Sequence, residues 1–99
     1  MYLVQKIISR KSEEVPFYEW PLEYIDYFRS NYVETNKSAS STIAKSADNL
    51  SLVITSIWAS EESFNEFITD PFIIEHMYLR NKYNLANDIV GMVPEKAAL

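Results

Sequence analysis

His76, the chain's one histidine, and Trp58, one of its two tryptophans, are the residues best equipped for chemistry. An imidazole that titrates near pH 6.5 can take or give a proton, so His76 is a candidate general base. An indole is a broad apolar wall with a single donor, so Trp58 is a candidate wall for a site with one polar contact. Plainer readings stand beside both. His76 shares a helical side with Phe72, Leu79 and Tyr83 and can simply pack among them. A tryptophan at a strand end can equally be core.

Little else offers chemistry. Without cysteine there is no thiolate nucleophile and no disulfide. No second histidine or carboxylate cluster stands at ligand spacing, so no metal site is expected. Glu13–Glu14 and Glu61–Glu62 are sequence neighbours and do not converge as an acid–base pair would. No serine sits in a nucleophile elbow. Gly91 is the single glycine, which excludes phosphate-cradling loops and dinucleotide fingerprints. No cofactor is expected.

The 99 residues allow one domain, 1–99, and 47% apolar content is ample for a core. A net charge of −5 argues against nucleic acid as a partner. No apolar run approaches the roughly 20 residues of a membrane span, and Met1–Arg10 lacks signal-peptide architecture. No membrane partner is expected, and the cytoplasm is the expected location.

The elements that must position these residues follow from pattern. Tyr2–Ser9 and Leu50–Trp58 read as strands, Ser38–Ser46 as a weaker one, and Asp88–Val93 as a last strand before a tail, Pro94–Leu99. Leu22–Thr35 reads as a helix with Leu22, Ile25, Phe28, Arg29 and Tyr32 on one side; Tyr24 and Tyr27 fall away from that stripe as surface or interface tyrosines. Ser60 caps a second helix with Phe64, Phe67 and Ile68 as its buried stripe. Asp70–Pro71 starts a new or kinked helix to Leu85. Between strand one and helix one, Pro16 and Pro21 stiffen a loop carrying Phe17, Tyr18 and Trp20. These rings can plug a barrel end or form a lid. The order predicts an α+β, ferredoxin-like βαββαβ fold with a four-stranded antiparallel sheet and the helices on one face.

Both sheet faces are partly apolar. Leu50, Leu52, Ile54 and Trp58 alternate with Ser51, Val53, Thr55 and Ile57; Leu3 and Ile7 oppose Tyr2, Val4 and Ile8. Helices can cover only one face, so a homodimer through the other is expected. Burying on the order of 1,000 Å² there would contribute about 25 kcal/mol before association costs.

Trp58-Ala59-Ser60, with Phe64, Phe67, Asp70 and His76 after it, resembles the dimeric α/β-barrel superfamily over Leu50–Val93. Within it, the likeness is to the antibiotic-biosynthesis-monooxygenase-like branch, which includes haem-degrading monooxygenases. Haem-degrading members work with a first-strand asparagine, a second-helix tryptophan and a ligand histidine. Here those places fall near Ile7, at Phe67 and at His76, so only the histidine corresponds. Cofactor-free members oxidise aromatic polyketides with the substrate's own electrons; Trp58 carries over by its place at the strand end.

The expected protein is a homodimer holding a hydrophobic molecule, aromatic or fatty-acid-like, in an apolar barrel cavity lined by Phe17, Tyr18, Trp20, Ile54, Trp58, Phe67, Phe72 and His76. Trp58 and His76 are the catalytic candidates if it is a cofactor-independent monooxygenase. The alternatives are a non-catalytic binding module and a purely structural dimer.

Overall fold

Ser51–Trp58 (β3) is the spine of the molecule, because its β-branched run suits a strand paired on both sides. A computed structural model describes residues 1–99. In it β3 pairs antiparallel with Tyr2–Ser9 (β1) on one side and Ser38–Lys45 (β2) on the other. On the far side of β1 lie Val90–Gly91 (β4) and Glu95–Ala98 (β5), giving the order β2-β3-β1 and then β4 and β5 along one edge. The sheet is ferredoxin-like, with its fourth strand in two pieces.

That break corrects the expected ends. Pro94 has no amide to donate and interrupts the edge, so the strand expected over Asp88–Val93 shrinks to two residues. The expected tail then pairs again, Gln5 opposite Glu95 and Tyr2 opposite Ala98. Glu95–Ala98 has no strand propensity of its own; the unpaired edge of β1 supplies the template.

The helices are Leu22–Phe28 (α1), continuing as a π-helical turn over Arg29–Val33, then Glu61–Thr69 (α2) and Pro71–Ala86 (α3). The caps are those expected. Ser60 accepts from the Ser63 amide, and Asp70 from the Phe72 amide with Pro71 in the first turn. No helix is long and apolar enough to cross a membrane.

The stripe of α1 differs from expectation. Tyr24, Phe28 and Tyr32 face the core, while Leu22 is 70% exposed and Ile25 46%. The Glu34 amide bonds the Arg29 carbonyl, five residues back, and this wider turn keeps residues four apart on one side. Tyr27 is no bare surface tyrosine either: its ring stacks on Phe72 at 4.0 Å and its hydroxyl bonds Asp70.

Register places Tyr2, Val4, Lys6 and Ile8 with Trp58, Ser56, Ile54 and Leu52 under the helices. There Trp58 meets Phe67 at 5.0 Å, Phe64 at 5.6 Å and Tyr32 at 6.1 Å, with Ile73 fully buried beside them. Each aromatic pair adds about 0.5–1.5 kcal/mol beyond the area it buries. The opposite face shows Leu3, Ile7, Val53 and Ile57 with two polar pairs, Gln5 bonded to Thr55 at 3.1 Å and Ser9 to Ser51 at 2.8 Å. No element of the chain covers it.

Candidate functional site

α3 rests on the sheet along a side that changes character partway. Its first half presents Ile73, His76 and Met77; its second presents Arg80, Asn84 and Asn87. The sheet beneath changes in step, from Trp58 to Lys6, which stands directly across from Ile54. The layers are packed solid at the Trp58 end and part at the Lys6 end. There a cleft of about 250 Å³ opens, lined by Lys6, Asn81, Asn84, Leu85, Ile89 and Gly91. A second, smaller hollow of about 70 Å³ lies on the uncovered face, among Gln5, Ile7, Met92, Val93 and Glu95.

Burial, and then the charge of Arg80, lowers the Lys6 pKa. Arg80 is itself pulled down by burial, opposed by Tyr24 and Tyr18. Burial pushes the Tyr24 phenol up to about 12. The cleft joins donors (an ammonium and two carboxamides) to the buried Ile89, with the 83%-exposed Leu85 at its open rim. It can take a small molecule with a polar end.

The stiff loop packs where α1 and α3 meet. Arg10 pins it from below, donating to the Asn49 and Val15 carbonyls and lying 4.3 Å over the Phe17 ring. Tyr18 meets Tyr83 at 5.4 Å and Trp20 at 5.2 Å, and Tyr83 donates to the Pro16 carbonyl. Trp20 stacks on Tyr24 at 4.0 Å, with Arg80 at 5.5 Å from its ring. From Tyr24 the aromatic row continues to His76 at 5.5 Å, and His76 meets Phe72 at 4.6 Å.

Tyr18, Trp20, Phe72 and His76 thus come together along one row, with Phe17 beside Arg10. Trp58 and Phe67 lie deeper, in the core, and Ile54 stands next to Lys6 on the sheet. Trp58 has the single polar contact expected of a buried indole, donating to Ser56 Oγ at 3.1 Å. His76 is 4% exposed; its Nε2 lies 3.4 Å from Glu23 Oε1, and its Nδ1 is buried without a partner.

Lys6, Asn81, Asn84, Leu85, Ile89 and Gly91 were not anticipated as a group. One signal was present: Lys6 interrupts an otherwise apolar strand face. Its meaning depended on Asn81 and Asn84 arriving opposite, which strand pattern does not reveal.

The residues do not fit a haem site of the kind the resemblance raised. Ile7 points to the uncovered face, away from His76, Phe67 is packed into the core, and the His76 ring lies sealed between Tyr24 and Phe72.

No protein-family profile matches the chain, and no curated protein matches it. Solved structures do. SnoaB, a cofactor-independent oxygenase from Streptomyces nogalater, superposes with a TM-score of 0.68 at 10% identity over 99% of this chain and 91% of its own. Rv0793 from Mycobacterium tuberculosis superposes at 0.56 with 11% identity, over 100% and 95%. A ferredoxin-fold protein from Listeria monocytogenes, related to antibiotic biosynthesis monooxygenases, is 21% identical at a TM-score of 0.54, over 97% of this chain and 53% of that one. At these identities the likeness speaks for the backbone alone: the chain has the ferredoxin-like fold of antibiotic-biosynthesis-monooxygenase-like proteins.

Proposed function

We propose that the protein is a homodimer that binds a small hydrophobic molecule, aromatic or fatty-acid-like, in each protomer. The cleft between α3 and the sheet carries this reading. Its 250 Å³ is just below the span of common ligand pockets, and its open, mainly polar lining sets Lys6, Asn81 and Asn84 beside Ile89, with Leu85 at the rim. The apolar, uncovered sheet face supports the dimer, with a second copy of the chain as its cover.

Binding is tested with N-phenyl-1-naphthylamine, a neutral dye that fluoresces in apolar pockets. Saturable binding by the wild type, lost in Asn84→Trp at unchanged Tm, is the expected result. A wild type that ignores the dye overturns the binding reading. The dimer is tested by sedimentation at micromolar concentration, where a species twice 11.5 kDa should fall to a monomer in Ile57→Glu. A wild type that sediments at 11.5 kDa overturns it.

A second reading, cofactor-independent oxygenation of such a molecule, is favoured by the His76–Glu23 contact and the free Nδ1. In it the substrate must reach His76 past Tyr24 and Phe72, because neither His76 nor Trp58 lines the cleft. Oxygen uptake with an electron-rich polycyclic phenol should then fall in His76→Ala and Trp58→Phe; unchanged uptake overturns both roles.

A further inference from the structure

The strands sort their charges by face. Lys6, Lys45 and Lys96 stand opposite Ile54, Leu52 and Val4, so all three lie on the side that carries the helices. On the uncovered side the strands place one charge, Glu95, and that at the sheet edge. A face made for water carries charged residues itself, and lysines guard exposed sheet surfaces against pairing. Here the arrangement is reversed.

Register orders the uncovered face in rows that run across the strands. One row is polar from edge to edge: Thr42, Thr55, Gln5 and Glu95. Leu3 with Ile57 lies on one side of it and Ile7 with Val53 on the other. Gln5 Nε2 donates to Thr55 Oγ1 at 3.1 Å, which leaves Gln5 Oε1 and the Thr55 proton for a further bond. Apolar, polar, apolar reads the same in both directions along a strand. A two-fold axis over the polar row therefore sets like on like, which is what a face pairing with itself requires. An eight-residue strand spans about 26 Å and four strands about 19 Å, a flat footprint of about 500 Å². Side-chain relief brings that toward the ~800 Å² that a standard interface takes from each partner.

We propose that the row Thr42–Thr55–Gln5–Glu95 sets the register of the homodimer by stacking on the same row of a second copy. Gln5 and Thr55 then hydrogen-bond across the two-fold axis, and the apolar pairs on either side pack against their equivalents. The inference rests on the dimer reading above and adds which residues meet. Sliding one sheet by a single row, two residues or about 7 Å, would lay the carboxamide and hydroxyl on apolar side chains. Their hydrogen-bonding groups would be desolvated without partners, which is the costly outcome that selects one alignment.

Gln5→Glu and Gln5→Lys test it by sedimentation. Gln5 lies outside the buried core, so both variants should keep the wild-type far-UV circular dichroism. Alone, each brings like charges together at the seam and should weaken the dimer at least about 100-fold, giving monomers where wild type is dimeric. An equal mixture should recover the dimer, because opposite charges then meet. Thr42→Lys, on the exposed strand β2, should weaken the dimer at least about 10-fold. Its neighbour Ser41→Lys, pointing to the other side of β2, should not. A monomeric wild type removes the dimer reading and this inference with it. If wild type is dimeric and both Gln5 variants are dimeric alone, the polar row is overturned and the dimer stands. Gln5 variants that stay monomeric when mixed, or a Ser41→Lys as weak as Thr42→Lys, also overturn the row's meeting with its own copy.

Discussion

Tyr32 reaches across 38 positions of sequence to donate its hydroxyl to Asp70 Oδ2 at 2.6 Å, beside the Tyr27 hydroxyl at 2.7 Å on the same oxygen. The other carboxylate oxygen caps α3 through the Phe72 amide at 2.9 Å. One carboxylate therefore ties α1 and the π-helical turn to the start of α3. Burial pushes the Asp70 pKa up, but the bonds from Tyr32, Tyr27 and the Phe72 and Ile73 amides outweigh it and hold it below the ordinary value of 3.8.

Asp70→Ala should lower stability by about 2–3 kcal/mol, one cap plus two stranded hydroxyls, read as a urea midpoint shift. The pH dependence has a definite sign. A depressed carboxyl stabilises above its unfolded pKa, so the advantage of wild type over Asp70→Asn should hold above pH 3.8. It should fade as pH drops through the folded value. A constant difference across acid pH would remove the carboxylate from this account.

Tyr24 sits at the other limit. Its phenol is raised to about 12, so its contribution is complete below pH 10 and lost as pH rises toward that value. Tyr24→Phe cannot ionise in either state. Relative to wild type, it should gain roughly 1 kcal/mol between pH 8 and pH 11, measured by denaturant unfolding. Absorbance at 295 nm should also lose one late-titrating phenol.

Trp58→Phe should reduce stability by about 1–3 kcal/mol, from lost ring volume and the lost bond to Ser56. Trp58→Ala should lose about 3–5 kcal/mol. A Trp58→Phe variant as stable as wild type would mean that the rings around it repack freely, against the edge-on contacts that Tyr32 and Phe28 make with it.

Where local pattern and tertiary structure agree, the sequence was readable. Ser60 and Asp70–Pro71 are start signals set by neighbours two or three residues away, and β3 is strongly β-branched. The phase of α1 was not, because the wide turn at Arg29–Val33 follows from how Tyr32 docks onto Trp58 and Asp70. Glu95–Ala98 was missed because its strand is imposed by β1. Of the candidate site, the aromatic row was legible in part, since Tyr18, Trp20, Phe72 and His76 were recognisable by type. The cleft was not, since Lys6 and Asn84 are 78 positions apart and neither is unusual alone.

The unpaired cations under α3 have a thermal consequence. Holding Lys6 and Arg80 near one another without an acid works against folding, so the empty protein carries a built-in weakness. Trading Lys6 for methionine should raise the melting temperature of the unliganded chain by a few degrees, about what 1 kcal/mol yields in a domain this small.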